Sequence, residues 1–184
     1  FTSANVTLNM PNTNVVIEGN NLTWTNGKIS VNNAGSGSLT IQNLIVDGTG
    51  FNDTLLAVSH SNGQLNLNHM TFTKATAGAT NISTSNNAKT IFNYTLFSDN
   101  TASNTAPAVK LNGASYVEIN NSTIENSIGY GAGYECGAIA SKFYTGTLNI
   151  NNTILRNNIN KCSFSGQFGG GGGAMSMHYL QGKI

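Results

Sequence analysis

The chain has 184 residues, of which only 8% are charged, and its formal net charge is +1. Soluble domains usually carry about a quarter charged residues, whereas this sequence is rich in amides and glycine, with 30 Asn and 21 Gly. The near-zero charge argues against nucleic acid and anionic membranes as partners. No apolar run approaches the roughly 18 residues of a spanning helix. We therefore expect neither nucleic-acid binding nor direct membrane insertion by this segment.

A short alternating segment recurs along the chain, with mostly apolar residues at its first and third positions. After a weaker copy at Val15, it reads LTIQN, LNLNH, TIFNY, VEINN and LNINN, starting at Leu39, Leu65, Thr90, Val117 and Leu148. Successive starts lie 24, 26, 25, 27 and 31 residues apart. Seven residues after each of the five stronger starts comes another apolar residue: Val46, Phe72, Phe97, Ile124 and Leu155. This pattern predicts a short strand, a turn and a second inward position.

A second strand is predicted after each of the later copies. Its segments begin at Leu56, Asn81, Ala108, Gly137 and Gly173. No helix-length amphipathic pattern lies between the strands, so like strands are expected to stack on like. We predict a right-handed parallel β-helix of about six coils, roughly 25 residues each, that spans residues 1–184 as part of a longer repetitive protein. An antiparallel sandwich, the competing fold, does not predict the same residue type at one place in five successive copies.

Two four-residue segments resemble a known repeat motif. Phe97-Ser-Asp-Asn100 and Leu155-Arg-Asn-Asn158 precede glycine-containing strands such as those at Gly137 and Gly173. Together they resemble the FxxN and GGA[ILV] motifs of the polymorphic outer-membrane protein repeats, most clearly over residues 90–176. The resemblance implies a β-helical surface protein with a role in adhesion or display, and it implies no catalytic residues.

In stacked coils, residues at the same distance from the start of each copy lie above one another and form a column of side chains. Four residues after each start the column holds Asn43, His69, Tyr94, Asn121 and Asn152. Asn tolerates the left-handed backbone that tight turns need, and stacked Asn amides can hydrogen-bond to one another. We therefore predict an Asn ladder that contains Asn43, Asn121 and Asn152.

The chain contains eight sequons for N-glycosylation. They begin at Asn5, Asn21, Asn52, Asn81, Asn93, Asn120, Asn121 and Asn151. Asn93, Asn120 and Asn151 share one column, one residue before the predicted Asn ladder. If that column faces solvent, glycans would line one side of the solenoid, although neighbours about 4.8 Å apart would crowd one another.

Cys136 and Cys162 are 26 residues apart, which is one coil length. A regular solenoid would place them near each other on adjacent turns, so we predict a disulfide, with free buried thiols as the alternative. By the same stacking, Glu125 and Arg156 share a column and are predicted to pair.

Parallel β-helices include pectate lyases and polygalacturonases, so the acidic residues need scrutiny. Hydrolysis of a glycosidic bond uses two facing carboxylates, and elimination uses acidic calcium ligands. The seven acids form no DD or DxD pair, and none stands beside a His. His60, His69 and His178 show no metal-binding spacing and are predicted to be turn or surface residues. We expect no catalytic residues, no metal and no cofactor.

These observations favour a non-catalytic, structural or adhesive extracellular β-helix, glycosylated and part of a surface fibre or glycocalyx. Exposed strand edges at its ends would favour end-to-end self-association, and glycans or other surface proteins are the other expected partners. The alternative is a pectin-lyase-like carbohydrate-active enzyme or a carbohydrate-binding module. In that case the aromatic residues Tyr130, Tyr134 and Tyr144 would contact the glycan.

Overall fold

The computed structural model describes residues 4–85, 87–113, 115–132, 135–141, 143–163, 173–177, 181 and 183–184. Within these ranges the chain consists of strands and turns and contains no helix. The strands stack in parallel as a β-solenoid of about six turns, with about 27 residues per turn. The predicted parallel β-helix is confirmed, with coils slightly longer than the predicted 25 residues. None of the described segments is a helix long and apolar enough to cross a membrane.

The described residues contain twenty strands, most of them three to six residues long. In chain order they are β1 (Asn5–Asn9), β2 (Asn14–Thr25), β3 (Lys28–Asn32), β4 (Ser38–Asp47), β5 (Leu56–Val58), β6 (Gly63–Asn68), β7 (Thr71–Thr73), β8 (Thr80–Ser83), β9 (Ala88–Asn93), β10 (Leu96–Ser98), β11 (Thr101–Ser103), β12 (Val109–Asn112), β13 (Tyr116–Asn120), β14 (Thr123–Glu125), β15 (Ile128–Gly131), β16 (Ile139–Ser141), β17 (Thr147–Asn151), β18 (Ile154–Arg156), β19 (Ile159–Cys162) and β20 (Met175–Met177).

Three parallel sheets run along the solenoid axis. The main sheet has ten strands. The long strands β2 and β4 pair along their length, and two ladders continue from β4: one through β6, β9, β13 and β17, and the other through β7, β10, β14 and β18. The second sheet has the order β1-β3-β5-β8-β12-β16-β20, and the third contains β11, β15 and β19. Coil 1 is thus β2–β3, coil 2 is β4–β5, coil 3 is β6–β8, coil 4 is β9–β12, coil 5 is β13–β16 and coil 6 is β17–β20.

The register of the main sheet follows the repeat predicted from the sequence. Val15 pairs with Leu39, Leu39 with Leu65, and Leu65 with Thr90. The same column continues through Val117 to Leu148. The residues seven positions later also align, from Val46 through Phe72 and Phe97 to Ile124 and Leu155. Each predicted inward column is therefore a real column of the structure.

These columns form the apolar core inside the coils. Leu65, Leu67, Phe72, Phe92 and Phe97 are completely buried. The Phe72 and Phe97 rings stack with centroids 5.3 Å apart, and Phe92 meets Phe97 edge-on at 5.4 Å. Burial of one such side chain contributes about 1.5–3 kcal/mol, and each coil adds several. The buried side chains of successive coils form one continuous cluster.

Left-handed backbone at the corners of the coil accounts for part of the abundance of Asn. Of the fourteen non-glycine residues with positive φ among the described residues, ten are Asn. One corner is the column of Asn43, His69, Tyr94, Asn121 and Asn152, with φ between 47° and 55°. Left-handed backbone costs most residues about 1–2 kcal/mol, whereas Asn adopts it readily through local hydrogen bonds. We call this column the corner column.

Parts of the solenoid were not predicted from the sequence. The third sheet, β11, β15 and β19, exists only in coils 4 to 6. Before coil 1, β1 pairs with β3, and β2 extends to Thr25, well beyond the predicted segment. A cavity of about 300 Å³ lies at this first coil, lined mainly by apolar side chains that include Val6, Ile17, Leu22 and Trp24.

Candidate functional site on the outer face of the main sheet

A ladder of amide side chains runs along the outer face of the main sheet. Asn93 Nδ2 donates to Asn68 Oδ1 over 3.0 Å, Asn120 Nδ2 donates to Asn93 Oδ1 over 3.1 Å, and Asn151 Nδ2 donates to Asn120 Oδ1 over 2.8 Å. In every bond the later coil donates to the earlier one. We call this column the amide ladder. It joins coils 3 to 6 through bonds that add to those of the backbone.

The predicted Asn ladder at Asn43, Asn121 and Asn152 is displaced by one residue from the amide ladder. In the corner column Asn152 Nδ2 donates to Asn121 Oδ1 at a long 3.4 Å, and Asn43 Nδ2 donates to Glu18 instead. Between Asn43 and Asn121 the corner column holds His69 and Tyr94, which have no carboxamide. The corner column is therefore defined by its left-handed backbone, and the residue before it carries the ladder.

The sequons at Asn93, Asn120 and Asn151 coincide with the amide ladder. Of their three hydroxyl residues, Thr95 and Ser122 are buried and face inward, and Thr153 is half-buried with its Oγ1 3.0 Å from the Ile119 carbonyl. Thr95 Oγ1 donates to the Leu67 carbonyl at 3.2 Å, and Ser122 Oγ donates to that of Asn120 at 2.8 Å. The fold itself thus accounts for the three positions of each sequon. The Asn belongs to the amide ladder, the next residue forms the corner, and the Ser or Thr bonds to a backbone carbonyl. These three sequons have a structural explanation that involves no glycan.

The other sequons differ in exposure and bonding. Asn21 and Asn52 are exposed, and Asn121 is exposed at the corner column. Asn5 Oδ1 accepts the Lys28 backbone N–H at 3.1 Å, and Asn81 Oδ1 accepts Asn112 Nδ2 at 2.6 Å. Asn81 is therefore part of a second, shorter amide contact between coils.

Glu18 occupies the ladder position in coil 1, and it bonds to the amides of coil 2. Its carboxylate accepts Gln42 Nε2 at 2.8 Å and Asn43 Nδ2 at 3.0 Å, and the Asn20 backbone N–H at 2.8 Å. Hydrogen bonds from Gln42, from the Asn20 backbone and from Asn43 hold the pKa of Glu18 below its usual value. Because Gln42 and Asn43 both donate toward coil 1, a carboxylate, which only accepts, is well suited to this position.

An open groove of about 430 Å³ lies beside the amide ladder. Its lining residues are Gln42, Asn68, His69, Asn93, Tyr94 and Asn121. The His69 and Tyr94 rings stack almost parallel, with centroids 4.9 Å apart and 4° between planes, and 58% of Tyr94 is exposed. We call this feature the amide groove. It combines an exposed aromatic platform with several carboxamides, an arrangement that the sequence reasoning did not predict.

A charged cluster lies farther along the same face. Lys89 Nζ is 3.0 Å from Glu118 Oε1 and sits 4.9 Å above the Tyr116 ring. Tyr116 also donates its hydroxyl to Glu118 over 3.1 Å. Partial burial alone would raise the pKa of Glu118, but hydrogen bonds from Lys89, Asn120 and Tyr116 outweigh it and lower the pKa. Glu118 is thus held as a bonded carboxylate, which suits it poorly to act as a general acid.

Most other carboxylates are also engaged between coils. Ion pairs join Lys28 to Asp53, Lys74 to Asp47, Lys89 to Glu118, Lys110 to Glu135 and Arg156 to Glu125. The predicted stacking of Glu125 on Arg156 is confirmed, with Oε2 2.6 Å from Nη2. Among the described residues, no three His, Cys, Asp or Glu side chains cluster as a metal site. The charges are distributed along the solenoid in pairs.

The aromatic residues suggested as glycan contacts do not form one exposed cluster. Tyr144 is completely buried, and its hydroxyl oxygen lies 2.7 and 2.8 Å from the carbonyl oxygens of Ser115 and Thr147, either of which can accept its one O–H. Its suggested role as a surface contact is wrong, because its ring fills the core; burial raises the pKa of this phenol above its usual value. Tyr130 is 43% exposed on β15, and Tyr134 lies outside the described residues.

The predicted disulfide between Cys136 and Cys162 is confirmed. Cys136 follows β15 in coil 5 and Cys162 ends β19 in coil 6, with Cα atoms 6.2 Å apart. The bond therefore links adjacent coils, as the 26-residue spacing predicted. A disulfide fits an oxidising, extracellular setting.

Buried polar side chains inside the coils also bond from one coil to the next. Asn100, which ends the FxxN segment, is fully buried. Its Oδ1 accepts the Ala75 N–H and its Nδ2 donates to the Phe72 carbonyl, both at 3.0 Å. Asn158 makes the equivalent bonds to Ser127 and Ile124. The side chains of Asn100 and Asn158 therefore bond to backbone groups of the preceding coil, as a neighbouring strand would do.

One histidine departs from its predicted location. His60 is completely buried, with Nδ1 2.8 Å from the Asn62 carbonyl, so the prediction of a turn or surface residue is wrong for its side chain. Burial lowers the pKa of His60. His69 does lie at a turn, and His178 lies outside the described residues.

Comparison of the chain with protein-family models, curated proteins and solved structures yielded no match. The solenoid, the disulfide and the side-chain ladders therefore carry the functional argument.

Proposed function

We propose that this chain is a non-catalytic structural and adhesive element of an extracellular surface fibre or glycocalyx. The observation that carries the proposal is that its polar side chains bond along the stack. The amide ladder joins four coils, and five of the seven acids form ion pairs. Acids held in this way support a rigid rod more than they support acid–base chemistry, which needs free and converging carboxylates.

The disulfide and the exposed sequons support a secreted glycoprotein of the cell surface. Asn21 and Asn52 are exposed and have accessible side chains, whereas Asn93 and Asn120 are engaged in the amide ladder. We therefore place glycans on the exposed sites and leave the ladder unmodified. Mass spectrometry of the chain secreted from eukaryotic cells tests this arrangement; full occupancy of Asn93 and Asn120 would contradict it.

The test of the non-catalytic function is turnover on a panel of polysaccharides. The purified, disulfide-bonded chain should release neither reducing ends nor unsaturated products from neutral, anionic or cationic polymers. Glu118→Gln is the matched control, because Glu118 lies on the outer face with both Lys89 and Tyr116 in contact with its carboxylate. Turnover by the wild-type chain that Glu118→Gln abolishes would establish the alternative, a pectin-lyase-like carbohydrate-active enzyme.

End-to-end self-association is the partner interaction that we propose for a fibre. Leu22 is 51% exposed beside the cavity of coil 1, and Ile159 is 45% exposed on the last strand of the third sheet. Parallel edges of this kind pair with another chain when they are uncovered. Sedimentation velocity should show concentration-dependent oligomers for the wild type. Leu22→Glu and Ile159→Glu should each abolish them, and a mixture of the two variants should give dimers only. A wild-type chain that stays monomeric at high concentration would exclude this assembly.

A further inference from the structure

We propose that the amide groove binds an uncharged polysaccharide, with a sugar ring stacked on Tyr94 and the neighbouring carboxamides bonded to its hydroxyls. The site rests on the adhesive function proposed above, since it supplies the ligand that this function needs. It is distinct from the residues Tyr130, Tyr134 and Tyr144 that the sequence suggested.

The first argument is the chemistry of the lining. Five of the six lining residues offer a carboxamide or a phenol, and none of the six is Asp, Glu, Lys or Arg. Carboxamides both donate and accept hydrogen bonds, as sugar hydroxyls do. An anionic or cationic polymer would find no fixed counter-charge among these side chains. The lining therefore favours an uncharged, hydroxyl-rich ligand.

The second argument is the hydrogen-bonding capacity that the amide ladder leaves over. Asn93 uses one N–H toward Asn68 and one oxygen lone pair toward Asn120. A carboxamide has two N–H donors and two lone pairs, so each such residue has another donor and acceptor for a ligand. The ladder also fixes the orientation of these groups before a ligand arrives, which lowers the entropy lost on binding.

The third argument is the aromatic platform. The Tyr94 ring is stacked on His69 and is 58% exposed, so one face is supported by protein while the side chain stays accessible. Rigid amphipathic rings of this kind supply contact area at little conformational cost. Both rings also stand on left-handed backbone, with φ of 51°. At the same corner Asn43, Asn121 and Asn152 adopt this backbone at lower cost, so Tyr94 retains strain that a purely structural corner does not require.

The test measures binding to polysaccharides by affinity electrophoresis and calorimetry, using soluble β-glucan, mannan and galactan as uncharged probes. Polygalacturonate and chitosan are the anionic and cationic comparators. The chain is produced without N-glycans, because Asn93 is both a sequon residue and a lining residue. We expect at least one uncharged polymer to bind, with both charged polymers weaker. No binding of any uncharged polymer, or stronger binding of a charged one, would overturn the proposal.

The variants follow from the corner column. Tyr94→Asn keeps a residue that suits the left-handed backbone, so the fold should survive while affinity falls about tenfold or more. Tyr94→Phe keeps the ring and should bind within about threefold of the wild type, and His69→Asn should give an intermediate loss if the rings act as one platform. Tyr130→Ala, which removes an exposed aromatic residue outside the groove, is the matched control and should bind like the wild type.

The possible outcomes distinguish a failure of the amide groove as a binding site from a failure of the proposed non-catalytic function. Binding that survives Tyr94→Asn, or that Tyr130→Ala abolishes equally, overturns the amide groove and leaves the structural role in place. If Tyr94→Asn does not fold, His69→Asn with Tyr94→Phe gives the same comparison. Turnover of a bound polymer would overturn the non-catalytic function even if binding depends on Tyr94.

Discussion

Coil 4 and coil 1 are built on the same repeat, but their inward side chains are covered differently. In coil 4 Thr90, Phe92 and Phe97 are completely buried, because a packed coil lies on each side. In coil 1 Leu22 is 51% exposed beside a cavity of about 300 Å³. In a solenoid each repeat contacts only its neighbours. An apolar side chain should therefore contribute far more to stability in the middle of the stack than at its first coil.

The largest effect is expected in the core. Phe97→Ala removes a ring that contacts both Phe72 and Phe92, and it should lower the free energy of unfolding by about 3–5 kcal/mol. Leu22→Ala should cost less than about 1 kcal/mol, because that side chain is half exposed. Chemical denaturation of both variants measures the contrast. Equal losses would show that coil 1 is covered in solution.

The next effect concerns a buried polar group in the same coil. Asn100→Ala leaves the Ala75 N–H and the Phe72 carbonyl without their partner, and each unsatisfied group costs about 1–3 kcal/mol. We expect a loss of about 2–3 kcal/mol in the free energy of unfolding. Asn87→Ala, at an exposed position, is the control and should change stability by less than about 0.5 kcal/mol. A similar small change for Asn100→Ala would mean that water replaces its bonds.

A smaller effect compares the interior of the amide ladder with its last member. Asn93 makes a ladder bond on each side, whereas Asn151 donates one, to Asn120. Each bond contributes about 0.5–1.5 kcal/mol, so Asn93→Ala should cost about twice as much as Asn151→Ala. Thermal unfolding under identical conditions is sufficient to rank them. The reverse order would contradict a ladder of additive neighbour contacts.

The smallest effect is the pH dependence of Glu18, which lies in coil 1 at the position that Asn residues of the ladder occupy in later coils. The pKa of Glu18 lies below its usual value of 4.5 in the folded chain. Its contribution to stability is therefore present above that usual value and is lost as pH falls through the folded pKa. Glu18→Gln should be less stable than the wild type at about pH 6, and the difference should shrink as the pH falls below 4.5 and through the folded pKa. A difference that stays constant over this range would mean that the carboxylate charge plays no part.

The sequence predicts the coil well because inward and outward positions alternate with a fixed offset. Leu65, Phe72 and their counterparts could be aligned by type alone, and the cysteine spacing then gave the disulfide. The third sheet was not predicted because its strands, such as Thr101–Ser103 and Ile128–Gly131, are short and weakly apolar. The sheet also occurs in only three coils, so its pattern does not repeat along the whole chain.

The candidate site was harder to predict, for a reason that two neighbouring residues illustrate. Asn120 and Asn121 are the same residue type, but Asn121 has left-handed backbone, with φ of 50°, and lies in the corner column, whereas Asn120 belongs to the amide ladder. The amide groove did leave a signal, since His69 and Tyr94 are ring residues at one offset in consecutive copies. The burial of Tyr144 had no such signal, because this residue lies between β16 and β17, outside the repeated segments.

The disulfide between coils 5 and 6 has a consequence for tension applied to the two ends of the chain. Each coil holds only its neighbours, so a pulled solenoid lengthens as coils peel away in turn. The covalent link between Cys136 and Cys162 keeps the 26 residues of that interval closed. At about 3.3–3.6 Å per extended residue, this withholds roughly 80–90 Å of contour length until the bond is reduced. In an oxidising setting the interval between Cys136 and Cys162 therefore cannot be drawn out, even when the coils around it separate.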